Sequence, residues 1–138
     1  MSVYAYRFFT NNCREAMTKY QEILGGELFV MGLDEMPPGE EVPDDLDPDF
    51  VMHAALTFPD GGMLMASDDP SGDGGPVKGV SLHFTAPTIE DGERIFEALA
   101  EGGTADMAYE EVFWALRFGS CTDRYGTSWM VSVDNPTA

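Results

Sequence analysis

The sequence predicts an α+β fold of two tandem βαβββ modules, about 3–67 and 77–133, within a single domain, forming a curved mixed sheet around a cleft. Three observations lead there. First, an amphipathic stretch between a Phe-Thr pair and paired glycines occurs twice. It runs from Phe9-Thr10 to Gly25-Gly26 and from Phe84-Thr85 to Gly102-Gly103. The Phe-Thr pairs lie 84 − 9 = 75 residues apart and the glycines 102 − 25 = 77. Second, Ala55-Leu56-Thr57-Phe58 is echoed 60 residues later by Ala115-Leu116-Arg117-Phe118. Third, each copy turns through an Asp-to-Gly segment, Asp60-Gly61-Gly62 or Asp123-Arg124-Tyr125-Gly126, into a last strand. Self-similarity in a fixed order marks repeated structural units.

The elements come in order along the chain. A strand over 3–9 leads to Asn12, whose side chain is suited to accept from the open amides of a first helical turn. Cys13, Ala16, Met17, Tyr20, Ile23 and Leu24 then hold one helical face, and Gly25 supplies the positive φ that ends the helix. Strands are predicted over 27–31, 51–58 and 63–67. The loop from Leu33 to Phe50, rich in Asp, Glu and Pro, accounts for the fall in offset between the copies. In the second copy a strand over 77–85 precedes Thr88, the expected cap of a helix whose stripe is Ile95, Phe96 and Leu99. Strands over 104–109, 112–119 and 127–133 complete it. A lone module would leave one sheet face uncovered. Two modules side by side enclose a concavity, a common setting for small ligands.

A chain of 138 residues suits one domain, and 43% hydrophobic content is too high for a disordered chain. The 25 acidic residues outweigh 7 basic ones for a net charge of −18. Such a field repels phosphate backbones and anionic lipid, so neither nucleic acid nor membrane is an expected partner. No apolar run reaches the roughly 18 residues of a membrane span, and the first residues lack the pattern of a secretory signal. Cys13 and Cys121 form neither a disulfide framework nor a CxxC site. Cytoplasmic localisation is the expectation.

Three segments carry a family resemblance: FFTNNCREAMTKYQEILGG (residues 8–26), MAYEEVFWALRFG (107–119) and TDRYGTSWMV (122–131). With the paired βαβββ pattern, they make the chain similar to the vicinal oxygen chelate superfamily of glyoxalases, bleomycin resistance proteins and extradiol dioxygenases. The closest resemblance is to its PhnB-like branch. The resemblance implies a glyoxalase-like fold over nearly the whole chain. That branch has carried a methyltransferase-type name, but no Gly-rich loop here follows a strand and opens a helix.

The resemblance also implies where a metal would sit, on side chains from the first and last strands of each module. In metal-using members these are His, Glu or Gln. Met130 occupies the position four residues after the turn at Gly126. Counting through the repeat gives Ser81, its partner Tyr6, and Met65 (or Met63) as the others. These are poor donors for Zn, Fe, Mn or Ni, so no metal and no cofactor is expected. His83, two residues beyond Ser81, is the one imidazole that a small slip of alignment recovers.

Strand alternation sorts the remaining side chains. Tyr6, Phe8, His53, Met65, Ser81, His83, Phe113, Arg117 and Met130 are expected to line the cleft. Val80, Leu82, Phe84, Trp114, Leu116 and Phe118 should face the helices. The lining is aromatic and thioether with sparse polar groups, as in small-molecule pockets. Arg117 has a competing use as an ion-pair partner of Glu110 or Glu111. His53 and His83 have one as hydrogen-bonded structural residues. The acidic 34–49 loop lacks calcium-loop spacing and reads as a solvated flap. The expected function is metal-independent binding of a small, partly apolar molecule by a homodimer. Two alternatives stand beside it: a metal-dependent lyase, isomerase or dioxygenase built around His83, and a structural partner with a filled cleft.

Overall fold

The computed structural model describes residues 2–35, 47–72 and 75–136. Most of the 34–49 loop, and with it the expected flap, lies outside them. The chain divides into two units, Met1–Gly74 and Gly75–Ala138. In the first, β1 (Ala5–Phe9), α1 (Cys13–Leu24), β2 (Glu27–Gly32), β3 (Val51–Thr57) and β4 (Met63–Asp68) form a mixed sheet in the order β1-β4-β3-β2. In the second, β5 (Leu82–Thr85), α2 (Ile89–Ala100), β6 (Thr104–Glu110), β7 (Ala115–Thr122) and β8 (Ser128–Asp134) repeat it in the order β5-β8-β7-β6. In each unit the first strand runs parallel to the last and the other pairs are antiparallel. The α+β reading and the glyoxalase-like βαβββ order hold.

Each helix covers one face of its own sheet. Ala16, Met17, Tyr20 and Ile23 of α1 are buried with Ala54, Leu56, Leu64 and Ala66. Ile95, Phe96 and Leu99 of α2 are buried with Cys121, Trp129, Val131 and Val133. Apolar side chains at helical spacing thus meet alternate strand residues, the two periodicities on which the sequence reading rests.

The helix starts differ from one another. Thr88 caps α2 as expected, its hydroxyl accepting from the Asp91 amide at 3.1 Å. The Asn12 side chain makes no cap bond. Asp68, the last residue of β4, serves α1 instead. One carboxylate oxygen accepts from the Cys13 amide at 2.9 Å and the other from the Val51 amide at 2.9 Å. A buried carboxylate therefore ties the start of a helix to the start of a strand.

Strand registers correct the repeat. Tyr6 pairs with Met65, and His83 with Met130. Ala55 opposes Met65, and Ser120 opposes Met130. From β1 to the glycines the true offset is 83 − 6 = 77, and from β3 onward it is 130 − 65 = 65. The counterpart of Tyr6 is therefore His83, not Ser81. The Phe-Thr match, at 75, lies two residues out of register. The match of Ala55 with Ala115 is likewise accidental. Gly61 and Gly126, both at positive φ in the last turn, keep the 65-residue spacing.

Strands β5 and β7 begin three or more residues later than expected. Before β5, Gly79 takes φ +79°, which leaves Val80 outside the sheet and 63% exposed rather than facing a helix. Residues 111–114 form a turn between β6 and β7 instead of the first half of a strand.

Candidate functional site

In the first unit the sheet face away from α1 carries a compact group. Neighbours across a sheet share a face, so Tyr6, Met65, Ala55 and Phe29 form one row across its four strands. The Tyr6 hydroxyl hydrogen-bonds His53 Nδ1 at 3.1 Å, and the Tyr6 and Phe8 ring centroids lie 5.1 Å apart. Tyr6 and Phe8 remain 40% and 58% exposed, far from the burial of a packed core. Tyr6, Phe8, His53 and Met65 are thus brought together on one face. Phe29, 52% exposed, joins them and is absent from the residues expected in the cleft. Its place opposite Ala55 is the signal that finds it, once β2 is sorted by face like the other strands.

The corresponding face of the second unit is more polar. His83, Met130 and Ser120 form its row, and His83 Nε2 hydrogen-bonds the buried Ser132 hydroxyl at 2.7 Å. Ser81 stands just before β5, its hydroxyl accepting from Ser128 at 3.1 Å. Ser81, His83 and Met130 therefore share this face.

Arg117 does not, and its expected placement is corrected. It pairs with Val133, a core residue against α2, and donates to the Leu116 carbonyl. The cause is a register shift between Ala115 and Arg117. One extra residue inverts the facing of the strand beyond it. The same shift brings Phe118 opposite Ser132, off the helix side where alternation put it. Gly119 takes the helix-facing place, where a Cβ would meet Phe96 and Tyr109 at 3.0 and 2.9 Å. Phe113 lies in the turn before β7, 90% exposed, its ring against Trp114.

The metal positions implied by the resemblance fall here on Tyr6, Met65, His83 and Met130. They supply one phenol already bonded to an imidazole, two thioethers, and one imidazole already bonded to a hydroxyl. Hard and borderline divalent ions need carboxylate or several imidazole donors, and neither the Tyr6–Met65 pair of the first unit nor the His83–Met130 pair of the second fits them. Among the described residues no group of three or more His, Cys, Asp and Glu is placed to hold a metal. Among them, too, no helix is long and apolar enough to cross a membrane.

A family model described as the Glyoxalase/Bleomycin resistance protein/Dioxygenase superfamily matches residues 4–131. Protein YjdN of Escherichia coli (strain K12) is 34% identical over 96% of this chain and 95% of its own length. Among solved structures, protein PA1353 from Pseudomonas aeruginosa is 38% identical, covers 97% of this chain and 98% of its own, and has a TM-score of 0.84. A PhnB protein from Bacillus cereus is 26% identical over 96% and 99%, with a TM-score of 0.74.

Proposed function

We propose that this chain, which belongs to the glyoxalase/bleomycin resistance protein/dioxygenase superfamily, is a metal-independent binding protein for a small, partly apolar molecule. The observation that supports this most is the pairing of thioethers with Tyr6 and His83 at the positions where metal-using relatives carry ligands. The open sheet face of each unit, taken by itself, suits adaptable apolar contact more than Lewis-acid chemistry: Tyr6, Phe8, Phe29 and Met65 in the first unit, Phe118 and Met130 in the second. For orientation, Tyr6 and His53 supply hydrogen-bonding groups in the first unit, and His83 and Ser132 in the second. The chain acts as a homodimer in this reading. Its free thiols at Cys13 and Cys121 suit the reducing cytoplasm.

Thermal unfolding of the metal-stripped protein against a panel of small metabolites tests the proposal. A ligand at a hundred times its Kd adds about 2.7 kcal/mol, which raises Tm by roughly 5–10 °C in a domain of this size. Stabilisation that survives chelation and weakens in Tyr6→Ala or His83→Ala supports binding without metal. Stabilisation that appears only when zinc, manganese, iron or nickel is restored overturns it.

A further inference from the structure

We propose that the β6–β7 corner of the second unit binds a small organic cation of the quaternary-ammonium class. This deepens the small-molecule reading above and rests on it. Three rings meet at the corner. Phe113 and Trp114 stand edge to face at 84° with centroids 4.8 Å apart, and Trp114 meets Phe118 at 62° and 5.6 Å. In an edge-to-face pair the edge of one ring covers one face of its neighbour, and the faces turned outward stay open. Phe113 and Trp114 are 90% and 49% exposed. The core beneath α2 does not use them, because Phe96 and Tyr109 fill that side.

A carboxylate adjoins the rings. Glu110 is the direct cross-strand neighbour of Phe118, and the exposed Glu111 follows it into the turn. Neither of the ion pairs Lys19–Glu22 and Arg94–Asp91 draws on Glu110 or Glu111. Arg117, the nearest cation in sequence, lies on the helix side of the sheet. Ring faces carry negative potential and attract cations. The net charge of −18 enriches cations around the whole chain. A quaternary ammonium fits best, since it spreads its charge over methyl groups that pack on rings and has no N–H bonds left unsatisfied there.

Tryptophan emission reads the site directly, because Trp114 is half exposed while Trp129 is buried and bonded to Asp123. The full chain is titrated with choline and with its uncharged carbon isostere, in which a tert-butyl group replaces trimethylammonium. Choline is expected to change the emission saturably, and the isostere to bind about three- to tenfold more weakly. Phe113→Ala, at a site too exposed to disturb folding, and Glu110→Gln should each weaken choline by about threefold or more. Equal binding of choline and the isostere overturns the cation inference and leaves the small-molecule reading standing. Absence of any choline response, with other metabolites still stabilising the protein, does the same. A Trp114→Ala chain that loses self-association in light scattering yet keeps its thermal stabilisation by choline assigns the corner to a second copy, and also overturns it.

Discussion

His83 stands directly beside Met130 in the parallel pair β5–β8, the position that Tyr6 holds beside Met65 in β1–β4. Each polar group thus has a thioether where a carboxylate would complete a metal-binding pair. The protein purified without an affinity tag is expected to carry less than about one-tenth of an equivalent of transition metal, as too few donors dictate. Met130→Glu, which puts a carboxylate next to His83, should raise zinc affinity measurably by calorimetry. Elemental analysis showing nearly one equivalent of metal, lost in His83→Ala, would contradict this.

The double acceptance at Asp68 makes it costly to replace. Asp68→Asn keeps one oxygen for two amides and turns its NH2 toward a donor, so one buried amide loses its partner. A loss of about 1–3 kcal/mol is expected in urea unfolding. Thr88→Ala, which removes a single cap bond from α2, should cost about 1 kcal/mol. A loss for Asp68→Asn well below about 1 kcal/mol would argue against the dual role of Asp68.

Gly92 sits inside α2, where alanine would ordinarily be better by about 1 kcal/mol. A Cβ there would run into the Tyr109 hydroxyl, which donates to the Ile89 carbonyl at 2.9 Å. Gly92→Ala is therefore expected to destabilise by roughly 1–3 kcal/mol through overpacking. Tyr109→Phe removes the nearest atom and should shrink that penalty, a coupling that a double-mutant cycle detects.

Burial pushes the Cys13 and Cys121 thiols up from 9.0 to about 12, with the Asp68 and Asp123 carboxylates adding to it respectively. The thiolate is the reactive form, so neither should react with a thiol reagent near neutral pH until the chain is unfolded. A raised pKa favours the folded state fully below the unfolded value. Stability should hold below about pH 9 and fall as pH rises toward 12, where only the unfolded chain readily ionises. Rapid labelling of native protein would contradict the burial of both side chains.

Light scattering is expected to give twice the 15.1 kDa chain mass at high micromolar concentration. Strands β1 and β2 are the open edges of the first sheet, and a second chain can cover such an edge. A monomer mass at that concentration overturns the dimer.

The helices and most strands are legible in the sequence because their side chains repeat at 3.6 or 2 residues, and burial enforces both periods. Alternation places Tyr6, Phe8, His53 and Met65 on one face for that reason. It misplaces Arg117 and Phe118 because a register shift is invisible to it: one extra residue between Ala115 and Arg117 exchanges the faces. The Ser81 and His83 exchange has a related origin. Phe-Thr is too short a match to fix register, while the glycines at the helix ends, constrained by positive φ, keep the true spacing. The role of Asp68 is out of reach of local patterns, since it joins residues 55 and 17 positions away.

The parallel pairing of β1 with β4 bears on how the chain is made. Strand β1 is synthesised well before its partner, which arrives only at Met63–Asp68. Until then Tyr6, Phe8 and Phe9 have no strand beside them, and the carboxylate that anchors α1 and β3 does not yet exist. The same delay recurs when β5 waits for β8. Distant pairings of this kind slow folding and prolong the exposure of unpaired edges. A nascent chain halted before residue 63 should accordingly be protease-sensitive throughout, and one extended past Asp68 should gain protection in the first unit as a single step.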